Sequence, residues 1–326
     1  MKNELGRDSQ TTRIDGQGRA QVRAHTQRLL LLVLTLAIAL VSAPAPTAAA
    51  SKGSGGESRH AKFRASDDPA LDVRVHYQNY GKGNEALVLI HGWGSNLDFW
   101  RDHVSDLAKR NRVIAIDLPG HGQSDKPQLP YSMDLFARAV DAVLRDAKVK
   151  RAVLVGHSMG TPIARQFYRK YPEKTLAVVI VDGSLRPFPD KQLMKTFIEG
   201  LRAPNYREAG KQMFAGMAGP SLSAELQERI QASFLNTPQH VVVGAMEGMA
   251  DDSIWAQDKI NLPVLAVMAK SPFWPADTEQ FYRNTAAKLD FQMWDGVGHF
   301  LHMEKPKQFN DAVIAFLDSN ALLKKK

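Results

Sequence analysis

The chain has 326 residues, of which 44% are hydrophobic and none is cysteine. This length suits one large α/β domain with an insertion or two ordinary domains, and the lack of cysteine excludes disulfides and a lipoprotein anchor. Residues 1–50 hold six Lys or Arg against three Asp or Glu, so they contribute +3 of the net charge of +8. The remaining +5 is too dilute to indicate nucleic-acid binding.

The N-terminal segment has the pattern of a secretion signal. A basic segment ends at Arg28, an apolar run of fifteen residues extends from Leu29 to Ala43, and small residues follow up to Ser51. The run suits a signal-peptide core and is short for a membrane span, which needs about 20 residues. We therefore expect residues 1–50 to be a signal peptide for export to a periplasm or the medium. The alternative is an uncleaved membrane anchor, and the long basic segment allows a start downstream of Met1.

The next part of the chain predicts a leader and then alternating strands and helices. Residues 51–66 are rich in Gly, Ser and Lys, which favours a flexible leader. Leu71–Tyr77 alternates apolar and polar residues, as an edge antiparallel strand does. Helix-compatible segments separate the runs that follow, so the order predicts a parallel sheet with helices on both faces. Four apolar runs are typical of buried strands: 86–90, 112–116, 152–155 and 176–181.

Beyond residue 184 the alternation stops. Helical patterns dominate residues 185–260, which predicts a helical cap over the strand ends. Strand patterns resume at 263–268 and 291–294, and a last helix is predicted for 307–317. The core is therefore predicted to comprise residues 67–184 and 261–326.

A serine motif lies between the strand at 152–155 and the helix-compatible segment after it. The motif is Gly156-His157-Ser158-Met159-Gly160, which matches the Gly-x-Ser-x-Gly nucleophile elbow in its strand–turn–helix context. A turn this tight requires small residues at both glycine positions and holds the serine hydroxyl clear of the backbone. Ser158 is thus a candidate nucleophile, which needs a base and a group that orients the base.

The partners of Ser158 can be sought by position. The elbow architecture requires the chain order serine, acid, histidine. His299 follows the last strand in a Gly-rich loop and is the candidate base, in preference to His302 near the start of the last helix. An oxyanion hole needs two backbone N–H groups. Met159 follows the nucleophile and Trp93 lies in the loop after the strand at 86–90, so their amides are the candidates.

Four motifs together resemble the α/β-hydrolase superfamily, in particular its capped, esterase-like serine hydrolases. They are His-Gly-Trp-Gly (91–94), Asp-Leu-Pro-Gly-His-Gly-Gln-Ser (117–124), the elbow (156–160) and Gly-His-Phe (298–300). The resemblance implies a mostly parallel eight-stranded sheet flanked by helices, with an inserted helical cap. It also implies hydrolysis through an acyl-serine intermediate without a cofactor or a metal. Asp117 would then brace the turn that follows it.

The third member of the triad departs from the family pattern. Most relatives have an Asp after the strand written here as 263–268, where this chain has Ser271 or Pro272, and neither can carry a negative charge. Asp182 ends the preceding strand, where dehalogenase-like relatives place their acid, and is the preferred candidate. Asp277, farther along the usual loop, is the alternative. A dyad without an acid stays open.

The predicted function is that of an exported serine hydrolase acting on a small ester, lactone or thioester. Serine at position 158 argues against epoxide hydrolases and haloalkane dehalogenases, which use Asp there. The alternatives are C–C bond hydrolase, aminopeptidase or haloperoxidase-like chemistry, and a degenerate hydrolase that binds or senses a ligand. A membrane partner is expected only if the N-terminal segment is uncleaved, and no oligomeric state is predicted. Four side chains are predicted to line the substrate pocket, with cap–core packing as the alternative for the aromatic ones: His91, Phe273, Trp274 and Phe300.

Overall fold

The computed structural model describes residues 55–65 and 72–323. The predicted signal peptide, its membrane-anchor alternative and the first residues of the leader lie outside the described residues. Within the described ranges, no helix is long and apolar enough to cross a membrane.

An eight-stranded sheet forms the centre of the fold, in the order β1-β2-β4-β3-β5-β6-β7-β8. β2 runs antiparallel to both of its neighbours, and the other neighbouring pairs are parallel. This confirms the predicted mostly parallel sheet. The strands are β1 (Glu57–Arg64), β2 (Asp72–Tyr80), β3 (Glu85–Ile90), β4 (Val113–Ile116), β5 (Arg151–His157), β6 (Thr175–Val181), β7 (Ile260–Ala269) and β8 (Ala286–Trp294).

The prediction of a flexible leader is wrong for half of residues 51–66. Glu57–Arg64 is the edge strand β1, and it pairs with β2 so that Ala61 faces Val75. Ala61 and Phe63 are buried while their neighbours are exposed. β2 is consequently an inner strand and not the predicted edge. Two buried apolar residues among polar and charged ones are a weak strand pattern. Residues 57–64 form a strand because the edge of β2 offers unpaired backbone groups for hydrogen bonding.

Helices cover both faces of the sheet. α2 and α3 pack with Val88, Ile90 and Leu154 on one face, and α1 and α10 pack with Leu89 and Val155 on the other. Successive residues of a strand point to opposite faces, so the unbroken apolar runs supply both layers. The helices outside the cap are α1 (Arg101–Leu107), α2 (Met133–Asp146), α3 (Gly160–Lys170), α8 (Thr278–Thr285), α9 (Leu301–Glu304) and α10 (Pro306–Ser319).

Four α-helices lie between β6 and β7, within the range predicted for the cap. They meet the core at the loop after β3, where the Trp93 indole donates to the carbonyl oxygen of Val242 at 2.8 Å. The Trp93 ring also packs against Phe214 and Phe234 of this segment. The cap therefore rests directly on the loop proposed for the oxyanion hole. Its helices are α4 (Lys191–Arg202), α5 (Tyr206–Gly216), α6 (Ala224–Leu235) and α7 (Gln239–Ala250).

Candidate active site

The serine motif forms the predicted tight turn between β5 and α3. Ser158 has a φ of 52°, in the left-handed region, which costs a non-glycine residue on the order of 1–2 kcal/mol. A Cβ at Gly156 would lie 2.3 Å from the carbonyl oxygen of Gly160, and a Cβ at Gly160 would lie 2.4 Å from that of Ile90. Only glycine fits at these two positions, so the close packing of three backbone segments maintains the strained serine.

His299 and Asp182 meet beside this turn. The imidazole Nδ1–H of His299 donates to Asp182 Oδ2 at 2.7 Å. Within the described part of the chain, His299 Nε2 and Ser158 Oγ have no hydrogen-bond partner. Asp182 directly follows β6, and its φ of 42° is also left-handed. A proton on Nδ1 leaves Nε2 with a lone pair, which is the state that a general base requires.

Two donors hold the other carboxylate oxygen of Asp182. Its Oδ1 accepts the Ala269 amide at 2.8 Å and the Trp274 indole N–H at 2.9 Å. The side chain of Asp182 is buried, so these bonds replace the solvation of its charge. Trp274, predicted to line the pocket, therefore orients the carboxylate instead. An indole N–H that becomes buried needs an acceptor, but the sequence does not show which one.

Asp277, the alternative acid, has no hydrogen bond to His299 among the described residues and binds another partner. Its carboxylate forms a two-point salt bridge with Arg186, at 2.7 and 3.0 Å, just before the first turn of α8. Hydrogen bonding to Arg186 lowers the pKa of this exposed carboxyl. Because Asp182 already contacts the imidazole, a dyad without an acid does not describe the arrangement.

Two backbone amides, those of Trp93 and Met159, are proposed for the oxyanion hole. Neither the Trp93 nor the Met159 N–H has an acceptor among the residues that the structure describes. A Cβ added to Gly92 would lie 3.0 Å from the Cβ of Ser158, so the loop after β3 approaches the serine closely. Met159 also stands at the start of α3, where the helix dipole favours negative charge. These features suit the stabilisation of an oxyanion, which stays a prediction.

Two of the four residues predicted to line the pocket, His91 and Phe273, differ strongly in burial. His91 is fully buried and braces the loops, because its Nδ1–H donates to the Gly92 carbonyl and its Nε2 accepts the Leu118 amide. Burial lowers the pKa of His91, so the ring is neutral, as these two bonds require. Phe273 is 57% exposed and contacts the Trp274 ring edge-on. The full burial of His91 contradicts the pocket prediction for that residue, whereas the pocket prediction for Phe273 stays a prediction.

Phe300 is a packing residue. It is 1% exposed, and its ring contacts Phe99 of the core and Phe214 of the cap. The alternative of cap–core packing is thus the better description of its position. Asp117 likewise braces the turn that follows it, as the resemblance implied, since it accepts the amide of Gln123 in that turn and the amide of Leu97 from the loop after β3.

The cap is also bound to the loop that carries His299, which the sequence did not indicate. The His299 amide donates to the carbonyl oxygen of Met217 at 3.0 Å. A Cβ on Gly219 would lie 2.0 Å from the Gly298 nitrogen, so the cap segment and the loop that carries His299 are in contact. Glu304 joins them, because its carboxylate accepts the Gly298 amide and the Ser221 hydroxyl. The position of the candidate base therefore depends on the cap as well as on the core.

The sequence profile of the alpha/beta hydrolase fold family matches residues 85–306. The chain belongs to this family of hydrolases. The resemblance inferred from the four motifs is thereby confirmed.

Similar proteins include hydrolases of several kinds. The 2-hydroxy-6-oxononadienedioate/2-hydroxy-6-oxononatrienedioate hydrolase of Burkholderia vietnamiensis is 29% identical over 80% of this chain and 96% of its own length. The structure of Est816, described as an N-acyl homoserine lactone degrading enzyme, has a TM-score of 0.68 and 27% identity, covering 79% of this chain and 100% of that one. An esterase from Thermogutta terrifontis has a TM-score of 0.70 at 22% identity, covering 80% and 99%. The likeness to the Thermogutta terrifontis esterase shows the fold alone.

One cavity of this α/β-hydrolase lies away from the serine. It has a volume of about 350 Å³ and opens between α4 and α7 of the cap. Ile198, Met249 and Trp255 are among the apolar residues that line it, and Lys191 and Arg202 are among the charged ones. Neither Ser158 nor His299 contributes to its wall, so this cavity is distinct from the candidate catalytic residues.

In the described residues of this α/β-hydrolase, no group of three or more His, Asp or Glu side chains is arranged to hold a metal ion.

Proposed function

We propose that this α/β-hydrolase is a serine hydrolase that cleaves a carboxylic ester, lactone or thioester through an acyl-serine intermediate. The observation that carries the proposal is the 2.7 Å hydrogen bond from His299 Nδ1 to Asp182 Oδ2, beside a serine with left-handed backbone. That bond directs the free Nε2 of the base away from the acid. Ser158, His299 and Asp182 are the proposed nucleophile, base and acid.

The chemistry follows from this arrangement. Ser158 Oγ attacks the acyl carbon while His299 Nε2 takes its proton, and the carbonyl electrons move to the oxygen. The amides of Trp93 and Met159 stabilise that oxyanion, and Asp182 stabilises the imidazolium. His299 then returns the proton to the departing alcohol or thiol, which leaves the acyl-serine. Water repeats the sequence on the acyl-serine, which releases the acid and restores the hydroxyl.

Two of the similar proteins bear on the substrate. The likeness to Est816 favours a lactone within the ester class. The second candidate function is hydrolysis of a C–C bond, favoured by the relative named as a 2-hydroxy-6-oxononadienedioate hydrolase. Aminopeptidase and haloperoxidase-like chemistry, and ligand binding without turnover, have no comparable support.

Labelling of the serine tests the proposal. The purified protein is expected to react with a fluorophosphonate probe, with the adduct located on Ser158 by peptide mass spectrometry, and to hydrolyse short p-nitrophenyl esters. Ser158→Ala is the control and should show neither property. An unlabelled Ser158 together with no turnover would instead indicate a binding protein. Faster turnover of a 2-hydroxy-6-oxo dienoate than of any ester or lactone would favour the second candidate.

We also propose that the protein is exported through residues 1–50. A basic segment followed by fifteen apolar residues and a small-residue stretch supports this proposal. N-terminal sequencing of the protein recovered from the periplasm or the medium should then find a start near Ser51. Recovery from the membrane fraction with Met1 retained would contradict the proposal.

A further inference from the structure

We propose that His157, the residue before the nucleophile, is a positioning residue that holds the backbone of His299 and so directs its imidazole toward Ser158. The inference rests on the proposed function, since it assigns a task within the same reaction. It is carried by contacts that His157 makes to the neighbours of the reacting atoms.

The first contact joins His157 to the base. The Nε2 atom of His157 lies 3.0 Å from the carbonyl oxygen of His299, and the two ring centroids are 4.8 Å apart. The His299 amide is bound on its other side by Met217 of the cap, and Nδ1 is bound by Asp182. Backbone N–H, backbone carbonyl and Nδ1 are thus all engaged. His299 Nε2 is the one polar atom of this residue left free within the described chain.

The second set of contacts fixes His157 itself. It is the last residue of β5, paired in register with Val181, and is 1% exposed. A Cβ on Gly92 would lie 3.0 Å from its Nδ1, so the proposed oxyanion loop packs against the ring. His302 packs on the ring with a centroid distance of 4.5 Å. One rigid imidazole therefore touches the loop of the base and the oxyanion loop, and it adjoins the nucleophile in the chain.

The protonation state agrees with this task. Because Nε2 faces a carbonyl oxygen, it must carry the proton and donate. Burial, together with the neighbouring His299, lowers the pKa of His157 well below its ordinary value, so the ring is neutral. A positive charge here would oppose the imidazolium that forms on His299 during the reaction. A neutral donor holds the carbonyl without that repulsion.

To hold the carbonyl oxygen of His299, the side chain at position 157 needs a donor as far from the backbone as Nε2 of histidine. In His157→Gln the amide nitrogen stands the same number of bonds from the backbone as Nε2, whereas in His157→Asn it stands only as far as Nδ1. Both variants are polar and small, so they form a matched pair. We expect the Gln variant to keep kcat within about fivefold of the original. The Asn variant should lose kcat by about 10²-fold with KM little changed, since misplacement of about 1 Å costs that much.

Nuclear magnetic resonance of ¹⁵N-histidine-labelled protein gives a readout that does not need turnover. In the unsubstituted protein His157 should be the neutral Nε2–H tautomer, and the opposite tautomer would overturn the proposal without any variant. The downfield proton of the His299–Asp182 bond should persist in the Gln variant and broaden or shift in the Asn variant. Equal kcat and equal spectra for the two variants would also overturn it.

These outcomes separate the two proposals. Suppose that the protein shows neither turnover nor labelling of Ser158, but the Gln and Asn variants still differ in the His299 resonance. The proposed function would then be wrong, and the positioning role of His157 would stand. A labelled, active protein indifferent to both substitutions would do the reverse.

Discussion

Asp182→Asn is expected to lower kcat about 10⁴-fold with little change in KM, as replacement of a triad acid by its amide does. Asp182 Oδ1 accepts the Ala269 amide and the Trp274 indole, so the Asn variant keeps its carbonyl oxygen there. Its NH₂ group then faces His299 Nδ1, which must accept, and the imidazole proton moves to Nε2. A protonated Nε2 cannot take the proton of Ser158.

The matched control is Asp277→Asn, which alters an exposed carboxylate paired with Arg186. We expect its kcat to stay near that of the original protein. Steady-state kinetics of both variants on one p-nitrophenyl ester makes the comparison. Full activity of Asp182→Asn, or a large loss in Asp277→Asn, would show that the acid is misassigned.

Two buried histidines, His103 and His121, are expected to contribute about 3 to 4 kcal/mol to the fall in the free energy of unfolding between pH 7 and pH 5. Burial lowers the pKa of His103 to about 4 and that of His121 to about 3. In the unfolded chain these rings take up protons near pH 6.5, whereas in the folded protein they stay neutral. Acid therefore favours the unfolded state, and stability is lost as the pH falls from about 6.5 toward the folded pKa values.

Urea unfolding at pH 7, 6 and 5 measures this loss. In His103→Asn the amide nitrogen stands at the position of Nδ1, which bonds Asn310, but the side chain does not titrate. The loss between pH 7 and pH 5 should then be about 2 kcal/mol smaller. His60→Asn is the control for the removal of a histidine that is not buried. A free energy of unfolding independent of pH would refute the neutral burial of these rings.

Sequence reasoning succeeded where the requirement is local. The elbow needs glycine at positions 156 and 160 because backbone atoms lie within 2.4 Å of where a Cβ would be. A buried strand must be apolar on both faces, which made β3 to β6 visible as unbroken runs. Both patterns lie within a few consecutive residues, so a single sequence displays them.

It failed where a residue's position depends on a partner far along the chain. β1 is a strand because β2 offers an edge to pair with, and its own pattern of two buried apolar residues is faint. His91 was expected at a pocket but bonds the Leu118 amide, 27 residues away. Trp274 was expected there too and instead donates to Asp182, 92 residues away.

The sequence by itself determined the family, the sheet with its helices, and the serine and histidine candidates, because short motifs carry the strain and the turn chemistry that these need. Only the tertiary structure decided which acid meets the histidine. Pairing of Val181 with Val267 sets Asp182 beside Ala269, and the cap and His157 hold the backbone of His299 above it. Sheet register and cap docking bring these segments together. Both depend on contacts between residues far apart in the chain, so no local stretch of sequence shows them.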